Sequence, residues 1–129
     1  MKGIVITTEN KMKVVEFEEP LYKTIGAAVD GWIEVVHPRG LADPFCMVVN
    51  DEGLLKQLPL NTLGCILYGT AIHGSPIVGD VVLIKEGFTK AGERDFIGLE
   101  DEDINMLGAM VVGITGGKVT WEATSDERY

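Results

Sequence analysis

The sequence contains few of the residues on which catalytic and metal sites depend. It has two cysteines, Cys46 and Cys65, two histidines, His37 and His73, and two serines. Neither cysteine has a partner at metal-ligand spacing, and neither serine lies in a Gly-x-Ser-x-Gly segment. We therefore expect no metal site, no serine hydrolase and no cofactor. We also expect two reduced core thiols, because a single disulfide is unusual in a cytosolic chain.

Positive charge is also scarce. Eleven Lys and Arg residues stand against 20 Asp and Glu residues, which gives a net charge of −9. A general DNA or RNA binder needs a basic face for the phosphates, and an anionic membrane attracts basic segments. The composition thus argues against direct nucleic-acid and membrane partners. Hydrophobic residues make up 46% of the chain, too many for a disordered acidic tail.

Long apolar runs are missing as well. No segment approaches the roughly 18 apolar residues of a membrane span, and the N-terminus lacks the pattern of a signal peptide. We expect a soluble, cytoplasmic protein.

Glycine-rich phosphate-binding motifs do not occur in their functional form. Residues 113–118 read GITGGK, but a P-loop needs Gly at position 112, where the chain has Val112. Gly116 and Gly117 instead predict a two-residue hairpin turn between strands over Val111–Thr115 and 118–122. No Gly-x-Gly-x-x-Gly segment follows a strand, so the dinucleotide fingerprint is absent too.

The remaining pattern predicts an α+β fold with a mainly antiparallel sheet, short inserted helices and a C-terminal hairpin. The 129 residues suit a single domain over 1–122, followed by a frayed tail at 123–129. Strands are predicted at 2–8, 12–17, 32–36, 45–49 and 77–85. Helices are predicted at 20–30, at 62–68 with Asn61 as N-cap, and from Glu100 onward. The polar segment 87–95 is predicted to be a mobile loop.

Five segments together resemble a known family. They are GWIEVV at 31–36, VVNDEGLL at 48–55, LPLN at 58–61, PIVGDVVL at 76–83 and DFIGLEDEDI at 95–104. In this order they resemble a small uncharacterised domain family of phages, prophages and conjugative or plasmid elements. The resemblance runs from about Tyr22 to Leu107 and leaves both hairpins outside as additions. Family members often have Ser or Thr where this chain has Glu100, so we expect the capping box to be missing.

The resemblance implies an accessory protein of a mobile element in the host cytoplasm, and it supplies no catalytic residues. Our first hypothesis is therefore a non-enzymatic protein that sequesters a small nucleotide-derived defence signal as a homo-oligomer. The candidate ligand-binding residues combine base-stacking aromatics, polar groups that read base edges, and cations for phosphates: Trp32, Arg39, Asn50, Glu52, Asn61, Tyr68 and Lys85.

Each candidate also has a structural interpretation. Trp32 is expected in the core or an interface, because large aromatic residues are mostly buried. For Asn61 and Asn50 we favour an N-cap and a turn, respectively, over ligand binding. Arg39 and Lys85 are the two expected phosphate contacts, since a chain of net charge −9 otherwise repels an anion.

Two other functions remain open. The acidic segment 93–103 suits a module that inhibits a basic host defence or nucleic-acid-binding protein. Glu52 or Glu34 would serve as the base of a small hydrolase. Homo-oligomerisation is expected from the apolar runs 81–84 and 111–114, which would form exposed sheet edges.

Overall fold

The computed structural model describes residues 1–38, 40–122 and 129, without the side chain of His73. Within these residues the chain forms seven strands and four helices. The strands are β1 (Lys2–Ile6), β2 (Lys11–Glu16), β3 (Ile33–Val36), β4 (Phe45–Asn50), β5 (Val81–Phe88), β6 (Arg94–Ile97) and β7 (Thr120–Trp121). The helices are α1 (Leu21–Val29), α2 (Thr62–Tyr68), α3 (Thr70–His73) and α4 (Asp101–Ile114).

The strands form one sheet in the order β3-β4-β5-β1-β2-β7, and β6 pairs with the second half of β5. Every pairing is antiparallel except that of β7 with β2. The predicted α+β class with a mainly antiparallel sheet is confirmed.

Helices cover both faces of the central strands, which explains the continuous apolar runs within them, such as Val81–Ile84 in β5. Successive side chains of a strand point to opposite faces. Val81 and Leu83 pack with α2 and α4, whereas Val82 and Ile84 pack with α1. β1 and β4 alternate in the same way, so the molecule has three layers with α1 alone on one side.

The N-terminal hairpin and the first two helices agree with the sequence pattern. Asn10 takes the left-handed conformation (φ 63°) in the tight turn between β1 and β2. α1 ends at Asp30, also left-handed (φ 65°), and buries the predicted apolar face, including Leu21 and Ile25. α2 spans the predicted residues and has Asn61 as its N-cap.

Two segments differ from the predictions. The strand predicted over Val111–Thr115 is wrong, because this segment is the last turn of α4. Leu107 and Val111 are one helical turn apart and both fully buried, and the Thr115 hydroxyl donates to the Val111 carbonyl 2.6 Å away. The Gly116-Gly117 turn does lead into a strand, so the C-terminal hairpin is confirmed in outline with a helix as its first arm.

The predicted loop at 87–95 is mostly a hairpin. β5 continues to Phe88 and pairs with β6 from Arg94, and the Thr89 N–H donates to the Glu93 carbonyl 2.8 Å away at its tip. The polar residues of this hairpin are exposed on a strand pair that has one solvent-facing edge.

The two segments that were expected to form exposed sheet edges lie elsewhere in the fold. Val81–Ile84 lie in the middle of the sheet between β1 and β4, and 111–114 are helical. Neither segment is an exposed edge, so the predicted homo-oligomer needs another surface.

The predicted frayed tail falls partly on residues 123–128, which lie outside the described part of the chain. On either side of this stretch the chain is hydrogen-bonded to β2. Glu122 N–H donates to the Met12 carbonyl, and Tyr129 N–H donates to the Glu16 carbonyl.

Candidate functional site

A groove of about 740 Å³ lies beside α1, between this helix, the start of β3 and the turn that follows β4. We call it the aromatic groove. Its lining residues are Tyr22, Lys23, Gly26, Ala27, Asp30, Gly31, Trp32, Ile33, Glu52 and Lys56. Its volume is within the range of small-molecule sites, roughly 300–1,000 Å³.

Two aromatic side chains of the groove are largely exposed to solvent. Trp32 is 75% exposed and Tyr22 is 67% exposed. The expectation that Trp32 packs in the core is therefore wrong. The chain turns sharply at Asp30 after α1, so Trp32 precedes β3 at the sheet edge, where no helix covers it. Both rings present apolar surface that a ligand or a partner would bury.

Two lysines of the groove supply positive charge. The Lys56 ammonium donates to the Asp30 carbonyl 3.0 Å away, at the C-terminal end of α1, where the helix dipole favours a cation. A Cβ on Gly31 would lie 2.7 Å from this nitrogen, so the absence of a side chain at Gly31 makes room for it. Among the described residues, neither Lys56 nor Lys23 forms an ion pair.

Three residues of the groove were not among the predicted site residues: Tyr22, Lys23 and Lys56. A signal for the first two was present, because α1 buries Leu21 and Ile25 and so must turn Tyr22 and Lys23 outward. No sequence pattern shows that the turn after β4 brings Lys56 to the end of α1.

Glu52 is half-buried and lines the groove, as the first hypothesis requires of a ligand contact. Its backbone N–H donates to the Asn50 side-chain oxygen at 2.8 Å, which fixes the turn after β4. With Asp30 and the two lysines, the groove carries two acids and two cations. It is locally balanced on a chain of net charge −9.

Asn50 has a structural role. Its side-chain amide donates to the carbonyls of Val29 and Asp30, at 2.8 and 3.0 Å, and its oxygen accepts from Glu52. Because both amide hydrogens are used inside the protein, Asn50 ties β4 to the end of α1. This corrects its assignment as a residue that reads a base edge.

Asn61 is fully buried, and its side chain also forms all of its hydrogen bonds within the protein. Its amide donates to the carbonyls of Ile6 and Gly79, at 3.0 and 2.9 Å, and its oxygen accepts from Gly64 N–H at 2.8 Å. It therefore caps α2 and joins it to β1 and to the segment before β5. Its assignment as a ligand contact is corrected in the same way, since no donor remains for a ligand.

Tyr68 and Trp32 do not face the same space. Tyr68 belongs to α2 and packs against the core on the face opposite α1. It borders a second cavity, of about 550 Å³, together with Glu34, Leu54 and Leu55. Trp32 lines the aromatic groove and Tyr68 does not, so the two aromatic residues are not brought together in one cavity.

The two expected phosphate contacts have different outcomes. Lys85 forms an ion pair with Asp103, with its nitrogen 2.8 Å from the carboxylate, and both side chains are largely buried. The prediction that Lys85 contacts a phosphate is therefore corrected. β5 and the start of α4 hold its side chain away from the aromatic groove. Arg39 lies outside the described residues.

The acidic segment 93–103 is divided between two elements and partly neutralised. Asp101 pairs with Lys2 at 3.2 Å, and Asp103 pairs with Lys85. Asp103 also accepts a 2.8 Å hydrogen bond from Glu100 N–H, as part of a capping box formed by Glu100 and Asp103, so the expectation that the capping box is missing is wrong. The hydrogen bond from Lys85, and next that from Glu100, hold the pKa of Asp103 below its usual value.

The Cys46 thiol is a poor nucleophile. Both cysteines are free. Burial, and next the carboxylate of Glu86, raise the pKa of the Cys46 thiol to about 12, so it is not a ready nucleophile. Glu86 itself is held by His37 and by Arg94, whose Nε lies 3.0 Å away.

Within the described residues, no cluster of three or more His, Cys, Asp or Glu side chains is placed to hold a metal ion. In that same part of the chain, no helix combines the length and the apolar content that crossing a bilayer requires.

Comparisons with known proteins place the chain in a family without assigning an activity. No curated protein and no solved structure matches it. The family model described as "Domain of unknown function (DUF3846)" matches residues 1–112. This match includes the N-terminal hairpin, so the expectation that the hairpin is an addition to the family pattern is wrong. The chain therefore belongs to the DUF3846 family, an uncharacterised domain family.

Proposed function

We propose that this protein is a non-enzymatic binding protein that takes up a small nucleotide-derived molecule in the aromatic groove and acts as a homo-oligomer. One observation carries the proposal: two exposed aromatic rings, Trp32 and Tyr22, border a 740 Å³ groove beside two lysines that have no ion-pair partner among the described residues. Aromatic faces stack on any nucleobase, and lysines bind phosphate as point charges.

The groove offers a distinct contact to each part of a nucleotide. Trp32 or Tyr22 would stack on the base. Lys56 uses one of its three donors on the Asp30 carbonyl and keeps the others for a phosphate. Glu52 would accept a hydrogen bond from a sugar hydroxyl or an exocyclic amine, because an ionised carboxylate only accepts.

The two lysines matter more here than on a basic protein. A chain of net charge −9 repels a phosphate at long range, so affinity depends on cations within the site. A charge-assisted hydrogen bond contributes about 1.5–3 kcal/mol, or roughly 10- to 150-fold in affinity.

The resemblance to proteins of phages and mobile elements suggests the biological setting. A small accessory protein without a catalytic motif would act by sequestering a nucleotide signal of host defence in the host cytoplasm.

Tryptophan fluorescence tests the proposal directly, because the protein has two tryptophans in different environments. Trp32 is exposed in the groove, whereas Trp121 packs over Gly108 in α4. We expect a panel of mononucleotides, cyclic dinucleotides and nucleotide sugars to contain a ligand that quenches the emission. Quenching should disappear in Trp32→Phe and persist in the matched control Trp121→Phe.

Affinity measurements then separate the contributions of the groove residues. Trp32→Ala should weaken binding about 5- to 150-fold, the range for a lost base-aromatic stack. Lys56→Met and Lys23→Met should each weaken it about 10- to 150-fold. Lys90→Met makes the same charge change at the exposed tip of the β5–β6 hairpin and should have no effect. Equal losses in all three lysine variants would contradict a site in the groove.

Native mass spectrometry of the protein purified from a defence-positive host distinguishes the other hypotheses. A retained nucleotide mass supports the proposed function. A retained basic protein would favour the acidic inhibitor, and turnover of the nucleotide panel would favour the hydrolase with Glu52 or Glu34 as base.

A further inference from the structure

Besides β6, which pairs only with β5, the sheet ends at β3 on one side and at the short β7 on the other. At one end, β2 is covered by β7 and by the backbone of Tyr129. At the other end, β3 pairs only with β4. No described residue pairs with the outer side of β3.

The backbone groups on this open side can be identified from the pairing register. Asp51 N–H donates to the Trp32 carbonyl at 2.8 Å, so Trp32 and Asp51 are a hydrogen-bonded pair that continues the β3–β4 register. In an antiparallel pair the direction of these groups alternates along the strand. Ile33 and Val35 therefore point their N–H and C=O groups away from β4, toward solvent.

One charged side chain, Glu34, opposes pairing at this edge. β3 reads Ile-Glu-Val-Val, with no lysine or proline, two of the residues that often prevent edge pairing. Exposed apolar side chains flank it: Trp32 in the aromatic groove, and Leu54 and Leu55, 63% and 83% exposed, beside the second cavity. Such an edge is suited to pairing with another strand.

We propose that β3 pairs antiparallel with β3 of a second copy of this chain, so that two sheets join into one across a two-fold axis. A two-fold axis perpendicular to the sheet places one residue of β3 opposite itself. With Val35 on the axis, the outward groups of Val35 bond to each other and Glu34 lies opposite Val36. With Glu34 on the axis, two carboxylates would face each other at a Cα separation of about 4.5 Å, which is destabilising.

The other registers pair less of the strand. With Ile33 or Val36 on the axis, only that one residue of β3 lies opposite the second β3. The Val35 register keeps three strand residues paired, avoids the clash of like charges and uses the outward backbone groups. The strand is thus complementary to itself in one register, which selects a second copy as the occupant.

This dimer would also complete the binding site. The aromatic groove and the second cavity lie on the two faces of the sheet at β3, so the second copy would form a wall of each. In the Val35 register Trp32 lies opposite Pro38 of the second copy. The inference rests on the homo-oligomer of the proposed function and is independent of the ligand.

A proline at position 35 tests the interface. Val35 N–H points outward, so Val35→Pro removes no hydrogen bond within one chain, and edge strands tolerate proline in this orientation. We expect light scattering of the wild type at micromolar concentration to give twice the 14.0 kDa chain mass. Val35→Pro should give the mass of one chain, and the control Val35→Ala, which loses the same packing but keeps the N–H, should remain a dimer.

Amide hydrogen exchange of the unmodified, ligand-free protein decides the case even if Val35→Pro fails to fold. Glu34 and Val36 bond to β4 and serve as internal references. The Val35 amide should be protected to a degree similar to these two, and dilution should weaken its protection alone. A dimer with unprotected Val35 would overturn this interface but not the homo-oligomer, and a monomeric wild type would overturn both. Loss of fluorescence quenching, by contrast, concerns the ligand alone.

Discussion

Asn61→Ala removes three internal hydrogen bonds at one buried point. The side chain accepts from Gly64 N–H at the start of α2 and donates to the carbonyls of Ile6 and Gly79. These partners belong to α2, to β1 and to the segment before β5, so the amide joins a helix to the sheet. Alanine fills none of these roles and leaves the partners buried.

The expected cost combines the cap and the two donated bonds. Loss of an N-cap costs about 0.5–2 kcal/mol. Each further hydrogen bond contributes about 0.5–1.5 kcal/mol, and more where a buried partner is left unsatisfied. We expect a loss of about 3 kcal/mol in the free energy of unfolding, which lowers Tm by roughly 10 °C for a chain of this size.

Urea denaturation at pH 7 measures this loss as a lower midpoint with an unchanged slope. Asn61→Asp separates the two contributions, because Asp is as good an N-cap as Asn but cannot donate when ionised. Although Asn61→Asp keeps the cap, it should be at least as destabilising as Asn61→Ala, because it places a buried carboxylate against the carbonyls of Ile6 and Gly79. Thr62→Ala, at an exposed neighbouring position, should change stability by no more than about 0.5 kcal/mol. An Asn61→Asp variant as stable as the wild type would refute the role of the donated bonds.

Two glycines of α4 give opposite predictions. A Cβ on Gly108 would lie 2.3 Å from the Trp121 ring, so Gly108→Ala should destabilise by about 1–3 kcal/mol. A Cβ on Gly113 meets no atom within 4 Å, so Gly113→Ala should stabilise the helix by up to about 1 kcal/mol. Thermal melts measure both variants. A Gly108→Ala variant as stable as the wild type would contradict the packing of Trp121 against Gly108. Lys85 lowers the pKa of Asp103 in the folded protein. The Lys85–Asp103 contact therefore stabilises the fold at pH values above the ordinary carboxyl pKa of about 3.9. This stabilisation is lost as the pH falls through the lower pKa of the folded state. The wild type should therefore exceed Asp103→Asn in urea midpoint at pH 6, and the difference should shrink below about pH 4; a constant difference would contradict the assignment.

Local sequence signals predicted the turns and helix starts that depend on neighbouring residues. Asn61 follows Pro59 and precedes an apolar segment of helical length, and α2 begins there. Asn10 marks the β1–β2 turn because it adopts a positive φ at low cost. The segment 111–115 was predicted incorrectly because β-branched residues favour strands when read alone, whereas burial of Leu107 and Val111 against the sheet extends the helix.

The candidate site was predicted only in part. Trp32 and Glu52 were identified and both line the aromatic groove, whereas Asn50, Asn61 and Lys85 are committed to internal contacts. An amide or a cation looks the same in the sequence whether its partners are ligand atoms or backbone carbonyls. Burial and hydrogen-bond partners are what distinguish the two cases.

The sequence by itself determined the fold class, the hairpin at the N-terminus and the capped helix, because these depend on neighbouring residues and on composition. Tertiary structure alone decided which residues share a surface. Lys56 reaches the end of α1 across 26 positions of sequence from Asp30. Tyr68 and Trp32 line different cavities, and β3 lies at an edge of the sheet while β5 lies at its centre. The physical reason is that strand order and layer assignment follow from burying both faces of the central strands, a property of the whole chain that no local segment contains.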